Sequence, residues 1–106
     1  MTRTFAYFHG AGPRGEASAQ LQRTLVDNLR PQDSIVAPSL PAPEDPDAQA
    51  WCDVIRQTLS GPDAPRVVVG HSLGASTVLK VLCEGGGVDV ARVALLAPPY
   101  WGMPEW

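Results

Sequence analysis

Gly70-His71-Ser72-Leu73-Gly74 spells GxSxG, a spacing that presents a serine hydroxyl on a tight turn between two small residues. The chemistry such a turn serves is attack of Ser72 Oγ on an acyl carbon. Glycine two residues before and two after the serine lets a strand and the following helix approach closely. A helix starting directly behind the serine leaves unpaired N–H groups and a positive dipole end facing a developing oxyanion, and Leu73 N–H is one such donor. The second donor in sites of this kind comes from the loop after a neighbouring strand. His9-Gly10-Ala11-Gly12 has that position, with Ala11 N–H as the candidate donor. Two plainer readings stand beside these: Ser72 as a helix N-cap, and HGAG as an ordinary glycine-rich loop.

The same loop carries a competing signal. Gly10, Gly12 and Gly15 spell GxGxxG, the spacing of a dinucleotide-binding turn. Against it, the acid that should end the second strand is missing, since that strand runs into Val36-Ala37-Pro38, and Pro13 removes an N–H from the phosphate cradle. No other segment resembles a nucleotide or metal site, so no cofactor is expected and no metal ligand is assigned.

The elements that must position these residues follow from periodicity. Thr4 to Phe8 reads as a buried strand, and Glu16 to Leu29 as a helix with Leu21, Leu25 and Leu29 on one face. Ser34 to Ala37 is a second strand, and Pro38 to Pro46 a stiff loop. Asp45 before Pro46 suggests an N-cap with proline at the first helical position, and Ala48, Trp51, Ile55 and Leu59 then mark a helix face until Gly61. Arg66 to Val69 leads into the serine turn, and Ala75, Val78, Leu79 and Leu82 keep helical spacing until Gly85. Val90 to Ala97 is a fourth strand. Strands separated by single helices predict βαβ units and a parallel sheet, with the first helix on one face and the next two on the better covered other face.

The 106 residues carry eight Lys plus Arg against eleven Asp plus Glu, a formal net charge of −3 without a like-charge run. That balance argues against a nucleic-acid or polybasic membrane partner. Met1 to Phe8 lacks the h-region of an export signal, and Val88 to Pro99 is too short and too charged to span a bilayer, so a cytoplasmic protein without a membrane anchor is expected. Cys52 and Cys83 belong to no CxxC pair and are expected as buried free thiols. Chain length suits one domain, residues 1–106.

These residues resemble the α/β-hydrolase superfamily, most closely small serine hydrolases of the retinoblastoma-binding protein 9 and YdeN type. The likeness covers nearly the whole chain: FHGAG, the APSLPAP loop, Trp51, VVVGHSLGAS with Leu79-Lys80 beyond it, and LLAPPYWG after the fourth strand. It implies a three-layer αβα fold with a parallel sheet of about four strands, the N-terminal part of an α/β-hydrolase domain. It also implies Ser72 as nucleophile and an oxyanion hole from Ala11 and Leu73. Gly70, His71 and Gly74 form the elbow, and Pro98 to Trp101 border the site. His9, Gly10, Tyr100 and Trp101 are pocket candidates, although the two rings read equally well as core. The implied substrate is a small carboxylic ester or related acyl compound.

One departure from the superfamily pattern stands out. A triad in the order Ser, acid, His needs its last two members after Ser72, where the acids are Glu84, Asp89 and Glu105 and no histidine occurs. Glu84 lies in the third helix, Asp89 begins the fourth strand at the wrong end, Glu105 is a weak candidate, and His71 points away from Oγ. His9 reads as structural, with action as the base its rival role. The acid and histidine are therefore expected beyond Trp106, and the domain is expected to be incomplete. Its fourth strand should then leave an apolar edge that favours aggregation or a protein partner. Two further readings stay open: a non-catalytic interaction module, and an acyltransferase.

Overall fold

The computed structural model of the chain describes residues 3–12 and 16–97. The elements run β1 (Thr4–Phe8), α1 (Glu16–Asp27), β2 (Ser34–Val36), α2 (Ala48–Thr58), β3 (Val67–His71), α3 (Leu73–Glu84) and β4 (Arg92–Leu96). All four strands are parallel, in the order β2-β1-β3-β4. Because crossovers are right-handed, the step from β1 outward to β2 puts α1 on one face. The return steps through β3 to β4 put α2 and α3 on the other, giving three layers. Phe8 pairs with Gly70 and Gly70 with Leu95, so β1, β3 and β4 finish level with one another at the serine turn.

The core lies between the sheet and the α2–α3 layer. Ala6, Phe8 and Val68 pack there with Trp51, Ile55, Leu59, Leu73, Val78 and Val81. Alternation sends Phe5, Tyr7, Val67, Val69 and His71 to the α1 face. That layer is thinner: the side chains described for α1 are half-buried or exposed, and none belongs to the core cluster. Asp33 fastens the lower end of β1 and β2. It takes hydrogen bonds from Arg30 Nε at 2.9 Å, Arg30 Nη2 at 2.8 Å and the Arg3 N–H at 3.1 Å.

Three sequence expectations need correction. The N-cap of α2 is Asp47, whose carboxylate accepts the Ala50 N–H at 2.8 Å, and not Asp45. Asp45 instead donates its N–H to Ala42 C=O to close a turn, and the helix starts only at Ala48, two residues after Pro46. Leu79, placed on the inner face of α3 by its spacing, is 47% exposed. The inward stripe runs through Ala75, Val78 and Val81, leaving Leu79 and Cys83 on an outer stripe four residues apart. Cys83 is accordingly exposed, whereas Cys52 is buried.

β4 is an edge strand among the described residues, with only Leu95 packed against the core and Val93 and Leu96 exposed. No helix among the described residues is long and apolar enough to cross a membrane.

Candidate active site

β3 ends at His71 and α3 begins at Leu73, so Ser72 alone makes the turn. It does so at φ 56° and ψ −123°, a conformation that costs an L-residue about 1–3 kcal/mol. Its N–H donates to Leu96 C=O at 2.8 Å, and its C=O accepts the Ala75 and Ser76 N–H groups at 3.0 and 3.2 Å. The hydroxyl makes no capping hydrogen bond, which removes the plainest reason for a serine here.

The two glycines of the turn are required by approach rather than by dihedral angle. A Cβ on Gly70 would stand 2.7 Å from Ala75 Cα, and one on Gly74 would stand 2.5 Å from Phe8 O and closer still to His9 O. The start of α3 is thus pressed onto the carboxyl ends of β3 and β1 at once. Gly10 is likewise buried against the serine: a Cβ there would meet Ser72 Cβ at 3.0 Å and lie 3.5 Å from Ser72 Oγ. This brings the HGAG loop to the hydroxyl.

In that loop, Gly12, at φ 90°, gives its N–H to Pro43 C=O at 2.5 Å. Ala11, the residue that the sequence offers as the second oxyanion donor, follows the buried Gly10 in this loop and is exposed. Leu73 is buried at the first position of α3, where a helix N–H has no intrahelical partner. A tetrahedral oxyanion formed at Ser72 would meet the helix N-terminus on one side and the HGAG loop on the other.

Neither histidine offers a base in this geometry. His9 is buried at 4% exposure, with its ring edge-on to Trp51 at 5.8 Å. Its Nε2 takes the Leu40 N–H at 2.9 Å, and its Nδ1 lies 2.7 Å from Gly10 O. His71 has a buried Nδ1 with no hydrogen-bond partner, Ser72 included. The carboxylates are committed elsewhere. Glu84 sits at the far end of α3, about 18 Å along the helix from Ser72 at 1.5 Å per residue. It pairs with Arg56 at 2.8 Å and Lys80 at 3.5 Å, and the Arg56 hydrogen bond holds its carboxyl below the usual range. Asp89 pairs with Arg66 at 3.6 Å, at the opposite end of β3. Glu105, Tyr100 and Trp101, with the whole Pro98 to Trp101 segment, lie outside the described residues. No group of three or more His, Cys, Asp or Glu side chains among the described residues is placed to hold a metal.

Sequence reasoning missed the supports of the HGAG loop. Trp51 Nε1 donates to Pro41 O at 2.6 Å, so α2 holds the proline-rich loop that in turn holds His9 and Gly12. The available signal was chemical: a buried indole needs an acceptor, and a proline-rich segment has carbonyls without matching N–H groups.

A parallel sheet whose third strand breaks into a strained serine turn, with a small-residue loop from the first strand beside it, is the architecture of an α/β hydrolase. The alpha/beta hydrolase family model matches residues 7–106, and the chain belongs to that family. Among curated proteins and solved structures, no match to the chain is found.

Proposed function

We propose that this chain carries the nucleophile and oxyanion hole of a serine hydrolase acting on carboxylic esters or related acyl compounds, of the small retinoblastoma-binding protein 9 and YdeN type. The observation that carries the reading is the conformation of Ser72, held in a costly turn whose hydroxyl serves no cap. Ser72 Oγ attacks the acyl carbon, and the carbonyl oxygen becomes an oxyanion that accepts from Leu73 and Ala11 N–H. The Oγ proton passes through a base to the leaving alkoxide. Water then attacks the acyl-enzyme, returning the proton to Ser72 and releasing the acid. His9 and His71 are both unsuited to that base, so this reading requires a histidine and an acid from outside the described residues. Ser72→Ala in the whole protein should abolish ester turnover, and unchanged turnover would end this reading. Running the same assay with competing alcohols separates hydrolysis from acyl transfer, because a transferase yields the new ester in place of the acid.

The exposed edge of β4 favours a second reading, a non-catalytic module that binds a protein partner along Val93 to Leu96. A folded 106-residue product in the source cells, without ester turnover, would support it.

A further inference from the structure

The ring of His9 has a determined proton. A backbone N–H can only donate, so the 2.9 Å contact from Leu40 N–H makes Nε2 a bare acceptor. A neutral imidazole with a bare Nε2 carries its hydrogen on Nδ1, and Nδ1 lies 2.7 Å from Gly10 O, which accepts it. Both contacts are buried, so losing either leaves a backbone group without a partner.

The Gly10 contact bears on the oxyanion hole. Gly10 has no side chain to restrict its ψ angle, and rotating that angle together with the φ angle of Ala11 flips the Gly10–Ala11 peptide. The described peptides contain no cis bond, so the Gly10 C=O and the Ala11 N–H point in opposite directions. With the carbonyl tied to the buried ring, the Ala11 N–H is turned away from the core, on the loop that lies against Ser72. The Leu40 contact ties in a second loop, already fastened by Gly12 N–H to Pro43 O and by Trp51 Nε1 to Pro41 O.

We propose that His9 is a positioning residue: its Nδ1–H locks the Gly10–Ala11 peptide in the orientation that offers Ala11 N–H to the oxyanion, while its Nε2 clamps the 38–43 loop beside it. The proposal rests on the serine hydrolase reading, and the two fail differently. The two nitrogens can be separated by substitution, because an asparagine amide reaches the Nδ1 position and a glutamine carbonyl reaches the Nε2 position.

The test has two measurements on the whole protein. First, ¹⁵N-resolved imidazole NMR of the unmodified protein should show His9 neutral, with the proton on Nδ1. A proton on Nε2, or on both nitrogens, overturns the lock whether or not the protein turns over esters. Second, ester kinetics should split the variants. His9→Gln, which keeps the Leu40 acceptor and loses the Gly10 donor, should lower kcat by about 10²-fold, the scale of one lost oxyanion donor, with KM little changed. His9→Asn should recover kcat to within about threefold and raise KM instead. Equal losses in both variants, each folded by circular dichroism, would reduce His9 to packing and overturn the proposal. If Ser72→Ala turns over ester like the parent, the nucleophile reading fails and takes the oxyanion role of His9 with it, whatever the tautomer.

Discussion

Gly74→Ala is the substitution on which the geometry of the site places the heaviest demand. The added Cβ would stand 2.5 Å from Phe8 O, 2.9 Å from Phe8 C and closer to His9 O, all backbone atoms that cannot rotate aside. A carbon and a carbonyl oxygen settle at about 3.3 Å, so relieving even the Phe8 O contact makes the first turn of α3 retreat from β1 by about 0.8 Å, and the closer His9 O asks for about 1 Å. Overpacking usually costs 1–3 kcal/mol, and with backbone on both sides of the contact we expect about 3 kcal/mol. For a domain of this size that is about 12–24 °C in Tm. Moving the helix start carries Leu73 N–H away from Ala11, and a misplacement on that scale costs on the order of 10²-fold in a positioned reaction. Thermal denaturation followed by circular dichroism reads the first effect, and the rate of Ser72 phosphonylation in the same samples reads the second. Gln57→Ala, on the exposed face of α2, serves as control and should change stability by less than about 0.5 kcal/mol. A Gly74→Ala protein melting within about 3 °C of the parent, or about 0.5 kcal/mol, would refute the close approach of α3 to β1.

Other consequences are cheaper to check. Asp33 is held well below the usual carboxylate range, chiefly by its hydrogen bond to Arg30. Its stabilisation is therefore present above an ordinary aspartate pKa of about 4 and is lost as the pH falls through that value toward the lowered folded one. Tm should drop on acidification from about pH 7 to about pH 3, and Asp33→Asn should flatten that limb; an identical limb in both proteins contradicts the assignment. Burial pushes the Cys52 thiol up while Cys83 is exposed, so iodoacetamide should add once to the native protein, at Cys83, and twice after denaturation. Modification of both thiols at equal rates in the folded state would contradict the packing of α2. The 106-residue chain should self-associate through β4, and Val93→Lys should shift sedimentation toward monomer. A sharp monomeric melt of the unsubstituted chain would argue that the edge is not a liability.

The alternation of strands and helices was legible because parallel strands are apolar on both faces and the breaks fall at Gly and Pro. VVV before Gly70, and Gly85 at φ 74° closing α3, are the clearest cases. The serine turn was legible for the same local reason: strand, serine and helix are consecutive, so no distant contact is needed to predict their arrangement. Legibility failed where a choice depended on the third dimension. Asp45 and Asp47 are both cap residues by type, and the proline after Asp45 pointed to the wrong one: the turn closed by Asp45 N–H on Ala42 C=O delays the helix to Ala48 and leaves Asp47 as its cap. Leu79 and Val78 fit the same helical stripe within one position, and only the face that α3 turns to the sheet separates the buried Val78 from the exposed Leu79. The bond from Leu40 to His9 joins residues 31 apart, a distance over which no periodicity reports.

The central claim is that Ser72 is the nucleophile, and covalent labelling tests it most directly. Protein isolated from the source cells is treated with a fluorophosphonate, weighed intact and mapped by peptide. The account predicts a single adduct on the peptide containing Ser72, absent from Ser72→Ala. An unlabelled Ser72 peptide, or an adduct that survives Ser72→Ala, would contradict it.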